Sequence, residues 1–97
     1  MQTTKLTTAK ALTDAILSLV DARRDRGPVK VKPAQLREEA ARFADLYELR
    51  AARWNELALA AYASEGMVSP EYALACSVAE AKDRDSMTFW RGLASVR

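Results

Sequence analysis

Residues able to act in catalysis are scarce in this chain. Among its 97 residues there is no histidine and a single cysteine, Cys76. Histidine is the commonest general base and a frequent metal ligand, so its absence excludes Ser–His and Cys–His catalytic pairs. One cysteine without histidine also leaves no set of zinc ligands. Cys76 is predicted to be a small core residue, with a regulatory thiol as the alternative.

The acidic residues and the glycines are not arranged for chemistry either. Glu38 and Glu39 are adjacent, which on a helix points their side chains about 100° apart. Asp83 and Asp85 are too few for the cluster of oxygen ligands that a hard cation requires. The glycines form no phosphate-binding loop, because they are scattered along the chain at Gly27, Gly66 and Gly92. The sequence therefore predicts no enzyme, no cofactor and no metal site.

Positive charge is concentrated in the first part of the chain. The net charge is +2, but residues 1–37 carry +5 and residues 38–97 carry −3. One interpretation is a solvated helix end followed by a linker. The other is a contact patch for nucleic acid or an acidic partner. The candidate residues for that patch are Arg23, Arg24, Arg26, Lys30, Lys32 and Arg37.

The remaining composition suits a small globular protein. Hydrophobic residues make up 49% and charged residues 29%, with few glycines and prolines, which favours one helical domain. No apolar run approaches the about 20 residues of a membrane span, and the first residues contain no apolar signal segment. With a single cysteine, no internal disulfide can form. We expect a cytoplasmic protein without a membrane partner.

Local signals divide this domain, residues 1–97, into helices. Thr7 or Thr8 can cap a first helix, and Gly27 followed by Pro28 ends it. Pro33 suits the first turn of a second helix, and Ser69 followed by Pro70 starts a third. The polar run from Lys82 to Ser86 indicates a break before a short fourth helix, although one continuous helix is the alternative. The predicted helices cover residues 8–25, 33–64, 70–82 and 86–95, with a basic linker at 26–32.

The second helix dominates this pattern. Its apolar residues keep a spacing of three and four, interrupted only at Arg50, and comprise Leu36, Ala40, Phe43, Tyr47, Trp54, Leu57 and Ala61. At 1.5 Å per residue it would be about 45–50 Å long, which is long for a globule of this size. We therefore expect an all-α bundle of three or four helices built on this long central helix, and a homodimer.

Aromatic residues and arginines are the candidate contacts for a protein partner, because tryptophan and arginine are enriched at interface hot spots. We select Tyr47, Arg50, Trp54, Trp90 and Arg91. Arg50 has two possible roles: its stem packs while its charged group reaches solvent, or it pairs with Asp45 or Glu48 of a second chain.

These observations favour a small non-enzymatic regulator, inhibitor or adaptor that binds an unidentified protein, of the kind found among phage or plasmid inhibitors, anti-activators and antitoxins of bacteria. A DNA-binding regulator that uses the basic 23–37 segment is one alternative. It is weakened because the helix that would read DNA, from Pro70 to Ala81, contains no lysine or arginine. A structural assembly subunit is another alternative.

Overall fold

The computed structural model describes residues 8–27, 32–63 and 70–96. These residues form three helices: α1 (Ala9–Arg26), α2 (Pro33–Ala63) and α3 (Pro70–Ala94). No strand occurs in these three ranges. The predicted all-α class is therefore confirmed.

Capping groups fix both ends of α1. The Thr8 hydroxyl accepts a hydrogen bond from the Ala11 amide at 3.1 Å, which satisfies one of the free donors at the helix start. At the other end, the Gly27 amide donates to the carbonyl oxygens of Arg23 and Arg24. Gly27 has φ 67° and ψ −158°, a conformation that residues with a Cβ rarely adopt. The chain thus leaves the helix where the sequence indicates.

Helices α2 and α3 pack closely as an antiparallel pair. Contacts between them pair Asp45 with Arg91 and Arg50 with Asp83, so numbers fall along α3 as they rise along α2. Positions with alternating spacings of four and three line the contact. On α2 they are Ala40, Ala44, Tyr47, Ala51, Trp54, Ala58 and Ala61, and on α3 they are Ala73, Cys76, Glu80, Asp83, Met87, Trp90 and Ala94, all buried or half-buried.

Small side chains dominate this contact. Five alanines of α2 are buried, and Cys76 is buried with Ala73 on α3. Small residues let two helix backbones approach closely, but they supply little apolar volume. Among the described residues, the large side chains that are fully buried are Phe43 and Leu12. The core is therefore thin, and polar contacts between helices carry more of the specificity of packing.

Helix α1 lies antiparallel to α2 and buries Leu12 and Ile16. Thr13 contacts Arg50 near one end, and Arg26 contacts Glu39 near the other. Since α1 begins at Ala9, the last turns of α2 extend beyond its start. Leu59 and Tyr62 of α2 are exposed at that end of the α2–α3 pair.

The predicted break between a third and a fourth helix is wrong, because α3 continues from Pro70 to Ala94. The run from Lys82 to Ser86 contains no glycine or proline, and Arg84 pairs with Glu80 one turn earlier. Asp83, which made the run look solvated, is turned toward α2 and buried.

The predicted linker at 26–32 is wrong at its first residue, because Arg26 is the last residue of α1. The extended segment at 28–31 and the turn at 64–69 lie outside the described residues. The predicted homodimer is not tested by one chain and stays a prediction.

Candidate functional site

Asp83 accepts hydrogen bonds from two side chains of α2. Its exposed fraction is only 4%. Arg50 donates to both carboxylate oxygens, from Nε to Oδ2 and from Nη2 to Oδ1, each at 2.8 Å. The Trp54 indole donates to Oδ2 at 3.0 Å. A buried carboxylate is tolerated when paired and hydrogen-bonded in this way.

Arg50 extends the same network to α1. Its Nη1 donates to the Thr13 hydroxyl at 3.0 Å, and its guanidinium lies 5.5 Å from the centre of the Tyr47 ring. The hydrogen bonds that Arg50 donates to Asp83 raise the pKa of Arg50 above its ordinary value, and this effect outweighs the opposing effect of burial. One guanidinium thus joins side chains of all three helices.

Three of the five predicted partner contacts, Tyr47, Arg50 and Trp54, therefore meet around an acid of their own chain. The side chain of Arg50 is only 19% exposed, so the expectation that its charged group reaches solvent is wrong. The acids considered as its partners in a second chain, Asp45 and Glu48, are bound by Arg91 at 2.9 Å and 3.1 Å. The network fixes the register of the helices and exposes no reactive group.

Asp83 is the residue that the sequence reading missed. A signal for it existed: Asp83 falls on the three-four spacing of α3, and Arg50 falls on the three-four spacing that the sequence predicts for α2. Two opposite charges that each interrupt an apolar seam indicate a buried pair. That inference requires the register between the helices, which local patterns do not supply.

The second cluster of candidate residues surrounds Trp90. Its ring stacks on Phe43 with centroids 4.4 Å apart, and Phe89 meets it edge-on at 5.3 Å. The Arg23 guanidinium of α1 lies 5.3 Å from the centre of the Trp90 ring, within the range of a cation–π contact. Trp90 therefore lies where side chains of all three helices meet. Its own side chain is half-buried, so part of the ring remains accessible to solvent.

Most of the basic candidates gather near this point, although acids already bind several of them. Arg26 donates a 2.8 Å hydrogen bond to one carboxylate oxygen of Glu39. Arg23 lies 3.0 Å from the other oxygen and forms an ion pair with it, but the angle is unsuitable for a hydrogen bond. Arg24 pairs with Asp21. Lys32 is exposed directly before α2, and Lys30 lies outside the described residues.

A cleft of about 410 Å³ opens beside Trp90, and we call it the Trp90 cleft. Its apolar lining comes from α2, from α3 and from Val96 just beyond α3, and arginines stand at its border. The lining residues are Arg23, Pro33, Leu36, Arg37, Glu39, Ala40, Trp90, Leu93 and Val96. The cleft brings together one predicted partner contact, Trp90, and two predicted basic residues, Arg23 and Arg37. Sequence patterns did not reveal Leu36, Leu93 and Val96 as members of this site, since it is created by the meeting of helix ends.

Two features are absent from the described part of the chain. No group of three or more potential metal ligands occurs among residues 8–27, 32–63 and 70–96. None of the helices there is long and apolar enough to cross a membrane.

The chain matches no protein-family model, no curated protein and no solved structure.

Proposed function

We propose that this protein is a non-enzymatic regulator, inhibitor or adaptor that binds another protein, and that the Trp90 cleft receives an apolar side chain from an acidic segment of that partner. The observation that carries the proposal is the composition of the cleft: an apolar lining containing a half-buried tryptophan, with arginines at its border.

The apolar part of the cleft provides an anchor site. Leu36 and Leu93 are both more than two-fifths exposed, and Trp90 adds an aromatic surface to the same lining. A volume of about 410 Å³ lies within the range of about 300–1,000 Å³ found for ligand pockets, so one or two large side chains fit. Tryptophan at the centre of a contact is a frequent hot spot, because its large rigid surface is desolvated on binding.

The charges at the border favour an acidic segment. Among the described residues Arg37 forms no ion pair, and Glu39 is shared by two arginines, Arg23 and Arg26. The border therefore keeps a surplus of positive charge near the apolar lining. An amphipathic helix with an aromatic or aliphatic anchor and acidic neighbours matches this arrangement.

The same pairing supports a protein partner over nucleic acid. Non-specific nucleic-acid binding comes from several cations that neutralise phosphates together. Of the six basic candidates, Arg23 and Arg26 face Glu39, and Arg24 faces Asp21. Breaking these pairs would offset part of the gain from each phosphate contact.

The test is affinity capture from a nuclease-treated bacterial lysate with two matched variants. Leu36→Asp places a charge in the cleft, whereas the control, Leu49→Asp, places the same charge at an equally exposed leucine of α2 outside it (43% and 49% exposed). We expect one stoichiometric protein to be retained by the native chain and by Leu49→Asp and lost with Leu36→Asp. If capture is the same for both variants, or if nuclease abolishes it, the proposal fails.

A further inference from the structure

Helix α3 is apolar on two opposite sides. One side packs against α2, while the other bears large side chains that face solvent, including Leu74 at 61% and Phe89 at 60% exposure. Leu74, Val78, Lys82, Asp85, Phe89 and Leu93 occur at helical spacing along this second side, and we call them the outer face of α3. Large exposed apolar side chains along one side of a helix are characteristic of an interaction surface, and here Lys82 and Asp85 divide them into two groups.

The outer face has an internal symmetry. Its members form pairs placed equally far from the point midway between Asp83 and Arg84: Leu74 with Leu93, Val78 with Phe89, and Lys82 with Asp85. Among these six residues each apolar residue is matched by an apolar residue, and Lys82 is matched by Asp85. Glu71, on the same side one turn before Leu74, is matched by Val96, just beyond the end of α3. When two copies of this face are placed antiparallel, apolar residues therefore meet apolar residues and Lys82 meets Asp85.

We propose that the outer face of α3 binds the outer face of a second copy of this chain, with the two helices antiparallel about a twofold axis near residues 83–84. A twofold interface joins the same patch of both chains, so each residue meets its symmetric counterpart. Leu74 then packs against Leu93 of the other copy, and Val78 against Phe89. Lys82 of each copy faces Asp85 of the other copy, so two equivalent charge pairs form.

The charges select this arrangement over others. Lys82 and Asp85 are exposed and take part in no ion pair within the described part of the chain, whereas the neighbouring Glu80, Asp83 and Arg84 are all paired. A parallel pair in register would place Lys82 against Lys82. A shift by one turn would place Lys82 against an apolar residue. Charged residues within an otherwise apolar helix contact set register and orientation in this way.

The dimensions of the face indicate the strength of the dimer. At 1.5 Å per residue α3 is about 37 Å long, and a helix with side chains is about 10 Å wide. The footprint is therefore roughly 400 Å² per copy, about half of the about 800 Å² per partner of a standard stable interface. We accordingly expect a weak dimer that forms as the protein concentration rises.

Charge exchange on the purified full-length chain tests this arrangement. Lys82→Asp makes a chain acidic at both positions, and Asp85→Lys makes one that is basic at both. In either variant alone like charges meet across the axis, which costs enough to weaken dimerisation at least about tenfold. When the two variants are mixed in equal amounts, every cross-pair is again opposite in charge, so the dimer is restored. Far-UV circular dichroism at low concentration checks that each variant is folded.

Sedimentation equilibrium over two orders of magnitude in concentration is the measurement. We expect the native chain to rise from 10.7 kDa toward twice that mass, each single variant to need at least about ten times the concentration for the same mass, and the mixture to behave like the native chain. A native chain that stays monomeric overturns the proposal, as does a mixture that is no more associated than its components. Leu93 belongs to both the outer face and the Trp90 cleft. Because no partner protein is present in this experiment, its outcome does not depend on whether the proposed function of the cleft is correct.

Discussion

Arg50 and Asp83 face each other across the α2–α3 contact, and both carboxylate oxygens accept from the guanidinium at 2.8 Å. Bidentate pairs of this kind are geometrically specific, because two parallel hydrogen bonds fix both position and angle. Thr13 and Trp54 add one hydrogen bond each. In a core made largely of alanine, this network determines how the helices are aligned.

Removing the acid from this network should be costly. We expect Asp83→Ala to lower the free energy of unfolding by about 3 kcal/mol, because Arg50 would be left largely buried without its counter-ion. The matched control is Asp14→Ala, whose ion pair with Lys10 is exposed and should contribute less than about 0.5 kcal/mol. Urea unfolding followed by circular dichroism measures both. Equal losses for the two variants would contradict a central role for the pair.

The pair should also be replaceable. Arg50→Met combined with Asp83→Leu removes both charges, and we expect it to lose less stability than Asp83→Ala alone, since no charge is left unpaired. Because the pKa of Arg50 is raised, the protonated guanidinium stabilises the fold below the ordinary pKa of arginine, and this contribution should be lost as the pH rises through the raised value. A double variant as unstable as the single one would show that the buried charge is not the cause.

Close approach of α2 and α3 makes one alanine intolerant of a larger side chain. Ala51 is fully buried, and its neighbour Ala52 is exposed. Leucine at position 51 should cost about 2 kcal/mol or more, because it forces the helices apart, whereas Ala52→Leu should leave the urea midpoint nearly unchanged. A similar midpoint for the two variants would mean that the helices are not closely packed at this level.

The two described glycines should respond in opposite directions to alanine. Gly27 has φ 67°, so Gly27→Ala should destabilise the protein by about 1–3 kcal/mol although the added methyl meets no atom. Gly92 is helical with open space around it, so Gly92→Ala should stabilise α3 by roughly 0.5–1 kcal/mol. Thermal unfolding at low concentration compares them, and a gain at position 27 would exclude the strained exit from α1.

Local sequence signals were sufficient for both ends of α1 and for the starts of α2 and α3. Thr8, Gly27, Pro33 and Pro70 act through their own backbone or capping groups, so their effects can be read without knowing the fold. The polar run around Asp83 led to the wrong prediction of a helix break, because that prediction also relied on local sequence alone. A buried acid and a solvated acid are identical in local sequence, and only the register against Arg50 distinguishes them.

The candidate site was predictable in part. Trp90, Arg23 and Arg37 were selected from residue type, but they were assigned to two separate surfaces, one for protein and one for acidic partners. Their meeting in one cleft depends on how the end of α1, the start of α2 and the end of α3 converge. No periodicity in the chain encodes that convergence, because it follows from the packing of all three helices.

The binding of a protein partner at the Trp90 cleft can be tested most directly by nuclear magnetic resonance of the two indole N–H groups. The chain has two tryptophans, and Trp54→Phe assigns their signals. On titration with the captured partner we expect the Trp90 signal to move, while the Trp54 signal, held by Asp83, stays in place. If Trp90 is unaffected at saturation, or only Trp54 moves, the partner does not bind in the cleft and the proposed function is contradicted.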